Sequence, residues 1–381
     1  LKFLNDLDTT LLPKGRAEFA ERVELKKTSG DSTPYRPWDY SYYAAQLLKQ
    51  KYSVDDKEVR QYFPVSHVVP AVLNIYSHLF GVRFIEYTKA DAWAPDVRRF
   101  QVVDTATQKP LGTIYLDLYP RPNKYNHFAQ WTLRARITRA DGSTDQMIGA
   151  IVGNWPTPAP GKPSLLSHGD VITFFHEFGH LMAATFATSR YLTNLNLRQD
   201  WVEAPSQMLE NWMWRPEVLT LVSRNVKTGK PLPADLVQRM IAAKHMSDGL
   251  NGTGQIFYGL YDMTLATSPP TIDPTATWYE LLPKITPGEA VPGGFPEGQF
   301  GHLMSGYDAG YYGYLWSKVY AQDLFTRFDR EGLLNPEVGR AYRELVLEPG
   351  GLLEPDEILQ NFLGRALSYD AFYTEMGIKR Q

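Results

Sequence analysis

The amino-acid sequence predicts a mainly α-helical protein with one small β-sheet beside a helix that carries two histidines. Helical periodicity of apolar residues dominates the second half of the chain. A group of short β-branched and aromatic segments precedes it, and the dipeptide Asp141-Gly142 between two of these segments is typical of a hairpin. A chain of 381 residues is long enough for one large domain or two modest ones.

Helices are predicted over 40–50 and 68–80, with a break at Pro64 and an end at Gly81. The strands are expected at five places, which are 82–87, 99–103, 112–118, 132–138 and 147–153. A stiff connector with four prolines follows at 154–164. Helices then continue to the end of the chain, with breaks at 227–233, 268–274 and 287–298.

Composition and charge exclude several classes of protein. Hydrophobic residues make up 43% of the chain and charged residues 21%, which is the balance of a globular protein. A net charge of −3 without long runs of one sign gives no case for nucleic acid or an anionic membrane as partner. No apolar run approaches the length of a membrane span. Because the chain has no cysteine, any metal must be held by His, Asp or Glu.

The start of the chain and the missing cysteines also bear on location. The first residues have neither the basic start nor the apolar stretch of a signal peptide. Lack of cysteine fits the cytoplasm, and we therefore expect a cytoplasmic protein. Since the chain starts with Leu1 rather than Met, we expect it to be a processed product or a fragment of a longer protein.

The sequence His176-Glu177-Phe-Gly-His180 lies in a segment with helical periodicity. Ser167 or Asp170 can cap the start of that helix. Positions i and i+4 share one face of a helix, so the two imidazoles can bind one ion. Glu177 is displaced by about 100°, near enough to a water at the metal to act as a base. The alternative is a core helix whose two histidines lie on one face by chance.

A third metal ligand is predicted at Glu203. Pro205 fits the first turn of a helix, which places Glu203, Gln207 and Glu210 on one face. An acidic face beside a histidine pair is the arrangement of a catalytic zinc site with two histidines and one glutamate. Glu210 is expected to support the ligands rather than to bind the metal, and Asp200 is expected to cap the helix.

A second cluster alternates glycine with tyrosine over residues 300–316. This composition is poor for a helix at its start. Its polar aromatic side chains are His302, Tyr307, Tyr311 and Tyr314. Such hydroxyl and imidazole groups can donate hydrogen bonds to an oxyanion. The residues alone leave open whether the segment does this or is an aromatic packing ridge.

Three long motifs, FHEFGH (175–180), DWVEAPSQMLENW (200–212) and FGHLMSGYDAGYYGYLW (300–316), follow one another along the chain. Shorter ones are AWAPDV at 92–97, the segment 112–120 and NFLGR at 361–365. With these motifs the whole sequence resembles the thimet oligopeptidase family of M3 zinc metallopeptidases, which includes neurolysin, oligopeptidase A and dipeptidyl carboxypeptidase. Ala183 and Ser305 depart from the family's pattern, at positions outside the expected chemistry.

The resemblance implies a role for each matching residue. It assigns one zinc ion per chain to His176, His180 and Glu203, and the role of general base to Glu177. It assigns contacts with substrate and transition state to His302, Tyr307, Tyr311 and Tyr314. Of these, Tyr307 and Tyr314 are the expected oxyanion donors.

The resemblance also implies a gluzincin-type fold that contains a channel. It predicts a single catalytic region over residues 1–381. A zinc-bearing lobe is expected over roughly 40–240 and a second lobe over roughly 241–381. Family members have a large helical region before the part matched here, so this chain is expected to lack much of that region. The alternatives are a naturally short form, a cleaved product, or one chain of a split enzyme whose second chain supplies the missing region.

The implied activity is that of a zinc metalloendopeptidase or oligopeptidase acting on short peptides, with dipeptidyl carboxypeptidase activity as a variant. The alternatives are an inactive or regulatory peptide-binding module and a zinc hydrolase that does not cleave peptides. An intact Glu177 argues against the first, since a pure binder needs no base. The strand around 150–154 is expected to pair with an extended peptide substrate.

Overall fold

The computed structural model is mainly helical and contains one five-stranded sheet. It describes three stretches of the chain, which are 1–88, 91–188 and 197–378. The chain forms two compact units. The first unit consists of 1–55, 238–319 and 369–381. The second consists of 56–237 and 320–368.

The helices are, in chain order, α1 (Lys2–Thr28), α2 (Tyr40–Tyr52), α3 (Asp56–Val59), α4 (Val65–Phe80), α5 (His168–Phe186), α6 (Ala204–Glu210), α7 (Pro216–Val222), α8 (Ala234–Ala243), α9 (Asp248–Thr267), α10 (Pro274–Ile285), α11 (Gly313–Glu331), α12 (Pro336–Tyr342), α13 (Pro355–Leu363) and α14 (Asp370–Glu375). The strands are β1 (Val82–Glu86), β2 (Arg98–Asp104), β3 (Pro110–Asp117), β4 (Ala129–Arg134) and β5 (Met147–Val152). Within the three described stretches, no helix is both long and apolar enough to cross a bilayer.

Backbone contact between α1 and α9 organises the first unit. A Cβ added at Gly249 would lie 2.4 Å from the backbone nitrogen of Gly15, so only glycine allows the two helices to approach this closely. Glu18 on α1 accepts hydrogen bonds from the backbone N–H groups of Gly249 (3.2 Å) and Leu250 (2.9 Å). Its carboxylate thereby caps the N-terminus of α9, where a negative charge is favourable.

The sheet lies in the second unit and has the strand order β1-β2-β3-β5-β4. Among the strands of the described stretches, β3 and β5 pair in parallel and the other neighbours are antiparallel. The predicted hairpin is confirmed, because β4 and β5 are antiparallel and Asp141-Gly142 forms the turn region between them, with φ of 84° at Gly142. Strand β4 begins at Ala129, which pairs with Val152, and this is three residues before the predicted start at residue 132.

The expectation that residues around 150–154 bind an extended substrate is wrong. Strand β5 is paired on both sides, with β3 and with β4, so its backbone groups are already used. Its apolar sequence from Met147 to Val152 is that of a strand buried on both faces. The edge strand next to it is β4, most of which is exposed.

Helix α5 packs on this sheet, as the sequence predicts. A Cβ at Gly149 on β5 would lie 2.7 Å from Leu181 Cδ1, so the Leu181 side chain packs directly on the strand at this glycine. The rings of Phe84 on β1 and Phe178 on α5 pack edge to face, with centroids 5.8 Å apart. The sheet thus fixes the helix that carries the two histidines.

A buried ionic network holds the chain between β3 and β4. Asp117, 1% exposed, accepts two hydrogen bonds of 2.6 Å from Arg121 and one of 2.8 Å each from Lys124 and Trp93. Lys124 also donates to the carbonyl oxygen of Gly153, just after β5. Burial alone would raise the pKa of Asp117, but these hydrogen bonds outweigh it and lower the pKa to about 2.

The lowered pKa of Asp117 predicts acid-sensitive stability. An unfolded aspartate titrates near 3.9, so the ionised form contributes about 2 kcal/mol to folding above pH ~4. This contribution is lost as the pH falls from about 4 through about 2. Asp117→Asn should therefore lower the free energy of unfolding at pH 7 and flatten its dependence on pH between 4 and 2, as measured by urea denaturation. Asp145→Asn removes a more exposed carboxylate from a surface pair with Arg139 and should change both quantities little. Equal effects of the two substitutions would contradict the prediction.

Candidate metal centre

Helix α5 places the two histidines on one face. Its start is fixed by Ser167, whose hydroxyl accepts from the N–H of Asp170 (3.0 Å) while the Asp170 carboxylate accepts from the N–H of Ser167 (2.7 Å). One turn separates His176 from His180, and their ring centroids are 4.8 Å apart. Both side chains are mostly buried, with 16% and 15% of their surface exposed.

Glu203 reaches the histidines from the start of α6. It is the N-cap residue of α6 and is followed by Pro205 in the first turn, so Glu203 and not Asp200 occupies the cap. A Cβ at Gly179 on α5 would lie 2.7 Å from Cα of Ser206. The lack of a side chain at Gly179 therefore lets the two helices touch, which brings the buried Glu203 carboxylate, 3% exposed, to the histidines.

Three ligand atoms converge at this point. His176 Nε2 and His180 Nε2 are 3.2 Å apart, and Glu203 Oε2 lies 3.1 Å from the first and 3.0 Å from the second. In a tetrahedral zinc site with bonds of about 2.0–2.1 Å, neighbouring ligand atoms are roughly 3.3 Å apart. The three atoms thus form one face of such a tetrahedron and fit a zinc ion.

Neighbouring groups fix the orientation of these ligands. His176 Nδ1 lies 2.7 Å from Glu210 Oε1, and a hydrogen bond donated by Nδ1 leaves Nε2 as the metal-binding atom. Burial lowers the pKa of His176, but hydrogen bonds with Glu203 and Glu210 outweigh it and raise this pKa well above its ordinary value. Burial raises the pKa of Glu203, whereas His180 and His176 together hold it well below the ordinary value. The carboxylates of Glu203 and Glu210, both next to the imidazoles, thus favour a cation at this point.

Glu177 lies beside the three ligands but is held by the sheet. Its Oε2 accepts a hydrogen bond of 2.6 Å from the backbone N–H of Gln130 on edge strand β4. Only 8% of Glu177 is exposed, and burial raises the pKa of its carboxyl group above the ordinary value. A raised pKa makes the carboxylate a better proton acceptor near neutral pH.

The residues of the second cluster lie together in the first unit. His302 is in a short 3-10 turn, and its ring centroid lies 5.0 Å from Tyr311 and 5.4 Å from Tyr307. The Tyr314 hydroxyl lies 3.4 Å from His302 Nε2, and the Tyr307 and Tyr314 rings stack with centroids 5.5 Å apart. The structure brings these four residues together at the N-terminus of α11.

Two groups at the centre are not among the sequence-predicted site residues. Gly179 lies within FHEFGH, but the sequence does not show that α6 packs against it, so the need for a glycine there is visible only in the structure. Gln130 acts through its backbone N–H, which leaves no signal in residue type. The alternation of apolar and polar residues in AQWTLR, next to the continuously apolar β5, is the sequence signal that fits an edge position for β4.

Comparison with known proteins gives consistent matches along the chain. Residues 1–378 match the profile of Peptidase family M3. Oligopeptidase A of Escherichia coli (strain K12) is 36% identical over 388 residues, which cover 100% of this chain and 57% of that protein. Saccharolysin of Saccharomyces cerevisiae is 36% identical over 401 residues, which cover 100% of this chain and 56% of that protein. Dipeptidyl carboxypeptidase of Escherichia coli is 31% identical over 378 residues, which cover 96% of this chain and 54% of that protein.

The chain thus spans a little over half the length of these relatives. A solved structure described as "BsuCP Crystal Structure" superposes with a TM-score of 0.52 at 12% identity, over 99% of this chain and 65% of that one. At this identity the likeness concerns the fold alone. The resemblance predicted from the three motifs is confirmed, whereas the alternative of a second chain receives no support from these comparisons.

Proposed function

The chain belongs to peptidase family M3, and from this premise we propose that it is a zinc-dependent peptidase that hydrolyses peptide bonds in short peptides. One observation carries the proposal: the ligand atoms of His176, His180 and Glu203 lie 3.0 to 3.2 Å from one another beside the buried Glu177. The names of the relatives, oligopeptidase and dipeptidyl carboxypeptidase, favour short peptides as the substrates.

Glu177 is the proposed general base. When bound by the three ligands, zinc supplies a Lewis acid that polarises a carbonyl group and makes water nucleophilic at neutral pH. The Gln130 N–H holds Glu177 Oε2 in place, which leaves Oε1 to take the proton of the attacking water. The same carboxyl group then gives that proton to the leaving amine.

Strand β4 is the proposed docking edge for the substrate. The N–H of Gln130 points away from β5, because it is bonded to Glu177. In an antiparallel strand, alternate residues point the same way, so the backbone groups of Thr132 also face outward. An extended peptide can add to this edge by backbone hydrogen bonds, next to the proposed base.

Tyr307 or Tyr314 is the proposed donor to the oxyanion, and His302 and Tyr311 are the proposed substrate contacts. Their clustering supports a shared role, since the donors are already grouped on one short segment. A gluzincin-type site within a channel belongs to the same proposal. The division into lobes at roughly residue 240 stays a prediction.

Peptide turnover by this chain, loaded with zinc, tests the function. We expect one zinc per chain, cleavage of short peptides detected by mass spectrometry, and loss of both after strong chelation or in His176→Ala. His245→Ala is the control, because His245 lies in the first unit and pairs with Asp248 rather than with any of the three proposed ligands. Loss of a dipeptide from the C-terminus would identify a dipeptidyl carboxypeptidase, and internal cleavage an endopeptidase.

Two results would contradict the proposal. Stoichiometric zinc in His176→Ala would place the metal elsewhere. Tight binding of peptides without cleavage by the zinc-loaded chain would favour the alternative, a regulatory peptide-binding module.

A further inference from the structure

The segment that carries the tyrosines has a backbone conformation that needs support. Ala309 has φ of 58° and Gly306 has φ of 87°. L-residues such as alanine rarely adopt this left-handed region. An adjacent cavity of about 730 Å³, lined in part by Phe300, Met304 and Ala309, borders the segment. Packing alone therefore does not hold the segment on that side.

A single buried carboxylate on α9 binds this backbone. Asp262 is 1% exposed, and its Oδ1 accepts a hydrogen bond of 2.8 Å from the N–H of Ala309. Its Oδ2 accepts one of 3.0 Å from the N–H of Tyr311. Both oxygens are thus used on N–H groups two residues apart, which fixes the turn between Tyr307 and Tyr311. Hydrogen bonds to a charged acceptor are stronger than those between neutral groups.

The face of α9 around Asp262 is shaped for the same segment. Gly259 lies one turn earlier, and a Cβ there would be 3.6 Å from Cα of Tyr312, so the segment's backbone lies directly on the helix. The ring of Tyr258 packs on Tyr311, with centroids 5.4 Å apart. Helix α9 therefore contacts the segment through an aromatic ring, a glycine and a carboxylate.

We propose that Asp262 is a positioning residue for the peptidase reaction, which sets the orientation of the tyrosine side chains by binding the backbone N–H groups of Ala309 and Tyr311. This inference rests on the proposed function. Asp262 touches neither substrate nor metal in this role. It acts through Tyr307 and Tyr314, whose placement on either side of the bound turn depends on that turn.

The first test measures the turn itself and needs no activity. Asp262→Asn keeps the size of the side chain but replaces one acceptor oxygen by an amide that cannot accept from an N–H group. We expect hydrogen exchange in peptides covering 305–314 to rise by about 10- to 100-fold, the range expected for losing one hydrogen bond to a charged acceptor. Glu18→Gln is the matched control, since Glu18 also accepts from two backbone N–H groups of the same unit. Unchanged exchange in Asp262→Asn would overturn the proposal.

The second test measures the reaction. Asp262→Asn should lower kcat by about 10- to 100-fold, with KM changed little and zinc content unchanged. The reason is that a displaced tyrosine hydroxyl weakens the hydrogen bond to the oxyanion of the transition state more than any contact with the bound substrate. In a chain that already carries Tyr307→Phe and Tyr314→Phe, the same substitution should cost less than about three-fold, because residues that act through one another are not additive. Full additivity, or an equal loss in Glu18→Gln, would reduce Asp262 to a structural residue.

The two tests separate failure of the inference from failure of the function. If the wild-type chain cleaves no peptide, the proposed function fails, and exchange at 305–314 alone decides whether Asp262 fixes the turn. If Asp262→Asn does not fold, as judged by thermal unfolding, Asp262→Ser carries both tests. Serine removes the carboxylate without placing an amide donor against the two N–H groups.

Discussion

Replacing Glu177 with glutamine is expected to leave zinc bound and to lower kcat by roughly 10²- to 10⁴-fold, the usual contribution of a general acid–base group. Glutamine has nearly the same size, and its carbonyl oxygen can still accept from the Gln130 N–H that holds Glu177. It cannot take a proton from water at neutral pH. Because Glu177 is not one of the three converging ligands, the metal should be retained.

Zinc content by elemental analysis and single-turnover kinetics on the loaded variant would check this result. Glu217→Gln is a suitable control, because Glu217 is an exposed glutamate of the same unit in the first turn of α7. Turnover near the wild-type rate in zinc-loaded Glu177→Gln would remove Glu177 from the mechanism. Loss of zinc in that variant would make Glu177 a metal ligand instead.

Gly179→Ala is expected to weaken zinc binding by at least about ten-fold and to destabilise the fold by roughly 1–3 kcal/mol. The new Cβ would lie 2.7 Å from Cα of Ser206 and 3.2 Å from the carbonyl oxygen of Pro205, both backbone atoms that cannot simply rotate away. Helix α6 must therefore move away from α5. Glu203 lies at the start of α6, so its carboxylate moves away from the histidines as well.

Gly169→Ala provides a matched control on the same helix. A Cβ at Gly169 would meet only Ser167 Oγ, at 3.7 Å, which is an ordinary contact. Since alanine favours a helix over glycine, this substitution should be neutral or stabilise the protein by up to about 1 kcal/mol. Competition with a chromophoric chelator would give zinc affinities for both variants. Wild-type affinity in Gly179→Ala would show that the close helix contact does not position Glu203.

Local patterns account for the parts of the site that the sequence predicts. The spacing of His176 and His180 fixes their common face as soon as the segment is a helix. Pro205 marks the start of the next helix and so places Glu203. Neither inference needs the tertiary fold, and the structure brings all three side chains together.

Other features depend on contacts between distant parts of the chain. Strand order is one, because β4 precedes β5 in sequence but lies outside it in the sheet. Asp262 is another, since nothing around it in α9 indicates a backbone turn 47 residues later as its partner. Helix α1 is not among the predicted elements either, although its buried Leu4, Leu7 and Leu11 have helical spacing. Pro13 within that helix obscures the pattern.

The irregular register of β4 has a consequence for self-association. An open strand edge can recruit the same edge of another copy and start aggregation, and Trp131 and Leu133 are 45% and 56% exposed here. The register shifts between Thr132 and Arg134, so the strand bends and its regular ladder is short. A short, bent edge is a poor template for a second rigid strand, whereas the proposed peptide substrate is flexible and can follow the bend. Colloidal stability and the proposed docking of peptides would therefore depend on the same few residues of β4.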